Sequence, residues 1–192
     1  MKHAAVTLTA VAVALICGLA NGDEPSAASR HLKCYRGFIG TWRYEGPLLE
    51  DIPDVAEKGS KLLFQFSWKW ILDKSVVEEG WLIQFEGSKL AGKSLVGWNA
   101  AENEIAYGGM HASGGMMLGT VTVDEATNSM TLTAKGINGD GEAMEVTNVV
   151  TRKDENTITW KSLHRKGGVV EGPSPEYTFK KVERRKRSKK AN

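Results

Sequence analysis

The short links between apolar segments constrain this chain more than any other feature. From residue 39 onward, apolar and polar residues alternate in short runs, which is the pattern of half-buried strands. Between the runs lie links such as Ser113-Gly114-Gly115 and Asn138-Gly139-Asp140-Gly141, whose residues tolerate the positive φ of tight hairpins. Parallel neighbours would need crossovers of about a dozen residues or more. Successive strands must therefore pair antiparallel.

An antiparallel meander of this length predicts a barrel. It leaves two unpaired edges unless its first and last strands pair, and closure removes both edges. We therefore predict an all-β domain that is a single antiparallel up-and-down barrel of about ten strands. Pro47 and Pro53 indicate that Leu48–Lys58 is an irregular loop or a short helix over one mouth. The predicted strands are Ile39–Glu45, Leu62–Trp70, Val76–Phe85, Lys93–Asn99, Glu104–His111, Met116–Val123, Ser129–Ile137, Ala143–Arg152, Thr157–Arg165 and Glu176–Val182.

The N-terminal sequence predicts export. A positive start at Met1-Lys2-His3 precedes an uncharged apolar run over residues 4–20, and Gly18-Leu19-Ala20 supplies the small residues of a cleavage site. We expect a signal peptide over residues 1–20 and a periplasmic or secreted protein with no transmembrane segment after cleavage. The alternatives are an uncleaved anchor, for which the run is short, and a lipoprotein acylated at Cys17. Cleavage leaves one cysteine, Cys34, which we expect to be partly buried near the first strand.

Positive charge is concentrated at the C-terminal end. Residues 180–192 contain eight Lys or Arg against one Glu, although the net charge of the whole chain is only +2. Because runs of like charge stay solvated, we predict a basic disordered tail at 184–192, after a lead-in segment at 21–37 and a barrel domain at 38–183. The tail has no aromatic residue for base stacking, so sequence-specific nucleic-acid binding is not expected. An anionic surface is its candidate partner.

Alternation assigns side chains to the inside of the predicted barrel. Successive side chains of a strand point to opposite faces, and the apolar face of each strand is the inner one. Glu79 falls on this face with Val77 and Ile83, where burial would raise its pKa; a shift of one residue in register would turn it to solvent. Lys161 and Arg165 fall on the outer face. The side chains predicted to bind a ligand inside the barrel are Glu79, Trp81, Tyr107, His111, Asn148, Trp160 and His164.

Two segments of the chain carry a family resemblance. Phe38-Ile39-Gly40-Thr41-Trp42, and Trp70-Ile71-Leu72-Asp73-Lys74 leading into Val76-Val77-Glu78-Glu79, resemble a lipocalin-like bacterial family of uncharacterised exported proteins in the calycin superfamily. The resemblance covers roughly residues 38–182. It implies an antiparallel barrel of about eight to ten strands with an internal ligand cavity. It also implies that Trp42 closes one end under a basic side chain from a late strand, for which Arg152, Arg165 and Lys180 are the candidates.

The chain carries no motif that predicts catalysis or a metal site. His31, His111 and His164 are not spaced with another His or Cys in the manner of zinc ligands. Ten-stranded barrels of the calycin type are known to hold haem by one axial histidine, and His111 or His164 is the candidate here, but a lone histidine is little support and no cofactor is predicted. Neither a G-x-S-x-G elbow nor a phosphate loop occurs. The sequence therefore favours a binding protein over an enzyme.

Two functional hypotheses follow from the sequence. The first is an exported barrel that binds a small apolar or aromatic ligand in its interior, because the inner face is aromatic with a few polar groups. The second is a non-enzymatic structural or adaptor protein of the envelope, held to anionic surfaces by the basic tail.

Overall fold

The computed structural model describes residues 26–85 and 87–183, so the predicted signal peptide and basic tail lie outside the described residues. The first element is the short helix α1 (Ala27–His31), where the Ser26 hydroxyl accepts a hydrogen bond from the Ser29 amide, and a 3₁₀ helix (Leu32–Gly37) follows. The strands are β1 (Gly40–Pro47), β2 (Lys61–Ile71), β3 (Val76–Phe85), β4 (Ser88–Asn99), β5 (Glu104–His111), β6 (Met116–Asp124), β7 (Ser129–Ile137), β8 (Ala143–Arg152), β9 (Thr157–Lys166) and β10 (Tyr177–Lys181).

The ten strands form one closed antiparallel up-and-down barrel, which confirms the predicted fold class. Each strand pairs with its neighbours in sequence, and β1 pairs with β10 to close the ring. The prediction was wrong about the start of β4, which begins at Ser88 rather than Lys93. The β3–β4 hairpin continues to the pair Phe85–Ser88, because Gly87 takes a φ of +78° at the tight turn.

Trp42 closes one end of the barrel. Its side chain has no exposed surface, and its indole Nε1 donates a hydrogen bond of 2.6 Å to the carbonyl oxygen of Phe38. The two short helices lie at this end and bury Leu32 and Tyr35 in the same core. Cys34, on the 3₁₀ helix, is half-buried as expected, and burial raises the pKa of its thiol.

The basic cover over Trp42 is Lys181, which is none of the three predicted candidates. Its Nζ lies 5.1 Å from the centroid of the indole ring, within the range of a cation–π interaction. Lys181 is the direct cross-strand partner of Trp42, and direct partners share a face of the sheet. The Nζ of Lys180 instead donates a hydrogen bond to the Thr157 hydroxyl. The Arg152 side chain lies against Gly37, so close that it would contact any Cβ atom added there. The third candidate, Arg165, lies near the opposite mouth.

Replacing Trp42 tests its role at this end. Trp42→Ala should lower the free energy of unfolding by about 3–5 kcal/mol, because it leaves a cavity and removes the donor to Phe38. Trp98→Ala is the control, since Trp98 is only half-buried and stacks on the exposed His31 at a centroid distance of 3.6 Å. Urea denaturation measures both losses. Equal losses in the two variants would contradict a special role for Trp42.

Candidate functional site

The barrel interior contains a cavity of about 260 Å³ between the core around Trp42 and the opposite mouth. This volume lies just below the range of about 300–1,000 Å³ that is typical of small-molecule sites, so the cavity suits a compact ligand. Most of its lining is aromatic or aliphatic. The lining residues are Phe64, Phe66, Glu79, Trp81, Ile83, Tyr107, His111, Met117, Val121, Met130, Leu132, Ala134, Met144, Val146, Asn148, Val150, Trp160, Ser162 and Arg165.

The structure brings most of the predicted site residues together. Six of them line the cavity from four different strands: Glu79, Trp81, Tyr107, His111, Asn148 and Trp160. The seventh, His164, does not line it; its side chain is exposed on the outer face of β9.

A β-bulge explains why His164 lies outside. Thr147 pairs with His164 but Asn148 pairs with Ser162, so Leu163 is an extra residue on β9. An extra residue inverts the alternation of every side chain that follows it in the strand. His164 therefore points outward and Arg165 points into the cavity, the reverse of the faces predicted from the sequence.

Arg165 ties together two loops at the open mouth. Its guanidinium donates two hydrogen bonds of 2.8 Å to the carboxylate of Glu50, in the loop after β1. It also donates to the carbonyl oxygens of Gly172 at 3.0 Å and Pro173 at 2.8 Å, in the loop after β9. The loop after β1 contains no helix, and Leu48 within it is buried. The charge of Arg165 is therefore neutralised by Glu50 at the edge of the cavity.

Glu79 is the carboxyl that lines the cavity without a hydrogen-bond or ion-pair partner among the described residues. It lies deep in the barrel, its accessible surface faces the cavity, and it makes no hydrogen bond or ion pair with the described residues. Burial disfavours the charged form and raises the pKa of this carboxyl from 4.5 to about 7. Near neutral pH Glu79 therefore gains or loses a proton at little cost, which is typical of functional carboxyls.

The negative charge of Glu79 acts on two buried tyrosines, Tyr35 and Tyr107. Burial, with a smaller contribution from the negative charge of Glu79, raises the pKa of Tyr107 to about 12 and raises that of Tyr35 well above its ordinary value. The Tyr107 hydroxyl accepts a hydrogen bond of 2.8 Å from Ser94. A side chain at Gly109 would come within 2.6 Å of that hydroxyl, so glycine is required there for the close approach. Both phenols stay neutral at physiological pH.

Asn148 and His111 are two further polar residues that line the cavity. The hydroxyl of Ser162 donates to Oδ1 of Asn148, and Nδ2 of Asn148 makes no hydrogen bond within the described part of the chain. The His111 ring lies edge-on to Trp81 at a centroid distance of 5.3 Å, and burial lowers its pKa. The cavity therefore offers an amide donor, a neutral imidazole and one carboxyl.

The sequence analysis missed Arg165, which lines the cavity, and Tyr35, a buried residue that does not line it but whose pKa the charge of Glu79 helps to raise. Tyr35 is in the lead-in segment, where the spacing of Leu32, Tyr35 and Phe38 is a helical signal for packing against the barrel. No comparable signal marks the bulge before Arg165, because polar residues occur on both faces there.

Comparison with known proteins gives this chain no family. No protein-family model matches it, and no curated protein matches it significantly. The lipocalin-like resemblance therefore stays a prediction.

Over residues 26–85 and 87–183, no group of three or more His, Cys, Asp or Glu is placed to hold a metal ion. No helix in the described part of the chain is long and apolar enough to cross a membrane.

The raised pKa of Glu79 makes stability depend on pH. Below pH 4.5 the carboxyl is protonated in both the folded and unfolded states. Between pH 4.5 and about 7 the unfolded chain loses this proton first, so the free energy of unfolding falls by about 3 kcal/mol as pH rises. Glu79→Gln should therefore be more stable than the wild type by up to about 3 kcal/mol at pH 8 and equal to it at pH 4. Urea denaturation at both pH values measures this.

The neighbouring Glu78 provides the control for this experiment. Glu78 points outward, and hydrogen bonds from Lys93 and Lys69 lower its pKa. Glu78→Gln should therefore lose stability at pH 8 rather than gain it. If both variants gain stability, or if neither does, the carboxyl of Glu79 must have a compensating partner or lie in water.

The Glu50–Arg165 pair should hold the loop of residues 48–60 in place. Glu50→Gln should lower the free energy of unfolding by about 1–3 kcal/mol and reduce hydrogen-exchange protection in this loop. Glu45→Gln is the control, because the pair of Glu45 with Lys61 is exposed and 3.8 Å long, and should cost less than about 0.5 kcal/mol. Unchanged protection in Glu50→Gln would contradict the role of this pair.

Proposed function

We propose that this protein is an exported barrel that binds a small, largely apolar or aromatic ligand in its interior cavity. The observation that carries the proposal is a cavity lined by aromatic, aliphatic and methionine side chains, with a carboxyl that has no partner within residues 26–85 and 87–183. Sites of this kind combine apolar walls with few polar groups that set orientation. Export rests on the pattern of residues 1–20, outside the described residues.

The aromatic side chains that line the cavity support the binding of a ligand that contains an aromatic ring. Trp81 and Trp160 lie on different strands of the lining, and both keep accessible surface toward the interior. A Cβ atom at Gly92 would collide with the indole of Trp81, so this glycine makes room for the ring against β4. Burial of ligand surface against such side chains contributes roughly 25 cal/mol per Å² of apolar area.

The polar groups support a defined orientation of the ligand. Glu79 on β3, Tyr107 on β5 and Asn148 on β8 reach the cavity from separate positions around the barrel. A ligand that bonds to more than one of them is held in one pose, since each group is fixed by a strand rather than by a loop.

Filling the cavity tests the proposal. Val146→Phe adds a ring on the inner face, whereas Thr133→Phe adds the same ring on the exposed outer face of the neighbouring strand. With indole as the ligand in isothermal titration calorimetry, Val146→Phe should weaken binding at least about tenfold, and Thr133→Phe should leave it unchanged. Equal binding of indole by Val146→Phe and the wild type would overturn the proposed function, as would failure of the wild type to bind indole, 2-phenylethylamine, 2-phenylethanol and phenylacetate alike.

A further inference from the structure

The charges at the cavity do not balance within the protein. Glu79 and Arg165 are its charged lining residues, and His111 is neutral at physiological pH because burial lowers its pKa. The carboxylate of Glu50 already neutralises Arg165 through two hydrogen bonds of 2.8 Å. Glu79 makes no such pair with the described residues. Once Glu79 is ionised, the cavity therefore carries one uncompensated negative charge.

We propose that the ligand of this cavity is a compact organic amine, whose protonated nitrogen pairs with Glu79 while its apolar part fills the space beside Trp81. This inference rests on the proposed function and specifies the class of ligand. A buried carboxylate without a partner is costly, and an ammonium group that arrives with the ligand removes that cost. Anionic ligands are excluded by the same charge, since Arg165 is occupied.

The surroundings of Glu79 favour a cation in two further ways. Its direct cross-strand partners are Trp68 and Ser94, and Trp81 follows it on the same face of β3. Indole faces attract ammonium groups, most strongly where water is excluded. Burial and the charge of Glu79 raise the pKa values of Tyr35 and Tyr107, which stay neutral, so these phenols neither repel nor replace a cation.

Three ligands of matched size test the class of ligand. The chain without its predicted signal peptide, residues 21–192, is titrated with 2-phenylethylamine, 2-phenylethanol and phenylacetate by calorimetry at pH 8. The amine should bind at least about tenfold more tightly than the alcohol, and phenylacetate should bind more weakly than either. At pH 6, Glu79 is mostly protonated, so the affinity for the amine should fall about tenfold while that for the alcohol does not fall.

Two isosteric variants locate the charge responsible. Glu79→Gln should abolish the preference for the amine and leave the affinity for the alcohol within about twofold. Glu78→Gln removes the same charge from the outer face of the same strand, where Lys69 and Lys93 pair with it, and should leave all three affinities unchanged. Equal loss of amine binding in both variants would show a general charge effect and overturn the inference.

The outcomes separate this inference from the proposed function. If the amine and the alcohol bind equally well and Glu79→Gln changes neither affinity, the amine inference is overturned while binding of small ligands stands. If indole and all three phenyl compounds fail to bind the wild type, the proposed function falls and the inference falls with it. Tight amine binding that depends on Glu79 alone supports both.

Discussion

The pairing of β1 with β10 is the contact on which the rest of the structure depends. It consists of two residue pairs, Trp42–Lys181 and Arg43–Lys180, extended by a 2.8 Å hydrogen bond from the Val182 amide to the Thr41 carbonyl oxygen. Without it the sheet would have two open edges and no interior. The same register places Lys181 over the ring of Trp42. It also places Phe179, which has no exposed surface, in the core. Closure thus creates both the sealed end and the space behind it.

A single extra residue then determines the chemistry of that space. Without the bulge at Leu163, His164 would face the cavity and Arg165 would face solvent. With it, Arg165 reaches Glu50 and joins the loops at the mouth, while Glu79 on β3 has no hydrogen bond or ion pair with the part of the chain that the structure describes. The cavity therefore combines a neutralised cation at its entrance with an available carboxyl deeper inside, and on this arrangement rests the proposal of a small basic ligand.

The sequence predicts those features that depend on local patterns. Hairpin links and alternation reveal the meander, the closed barrel and the inward position of Glu79, because each depends only on a strand and its turns. The cover over Trp42 depends on which residue of β10 lies opposite β1, a long-range match that no single strand encodes. Likewise the bulge leaves no mark in the apolar pattern of Ser162 to Arg165, so the faces of His164 and Arg165 were inverted.

Glu79 connects barrel closure, strand register and the chemistry of the cavity. A one-residue shift of β3 would expose its carboxyl to water, and an open barrel would hydrate it. The most direct measurement is therefore a titration of the Glu79 side-chain carboxyl carbon by ¹³C NMR in the wild-type protein, assigned by comparison with Glu79→Gln. A titration midpoint near pH 7 is expected for the carboxyl buried in the cavity. A midpoint near the ordinary value of 4.5 would contradict this position and the function built on it.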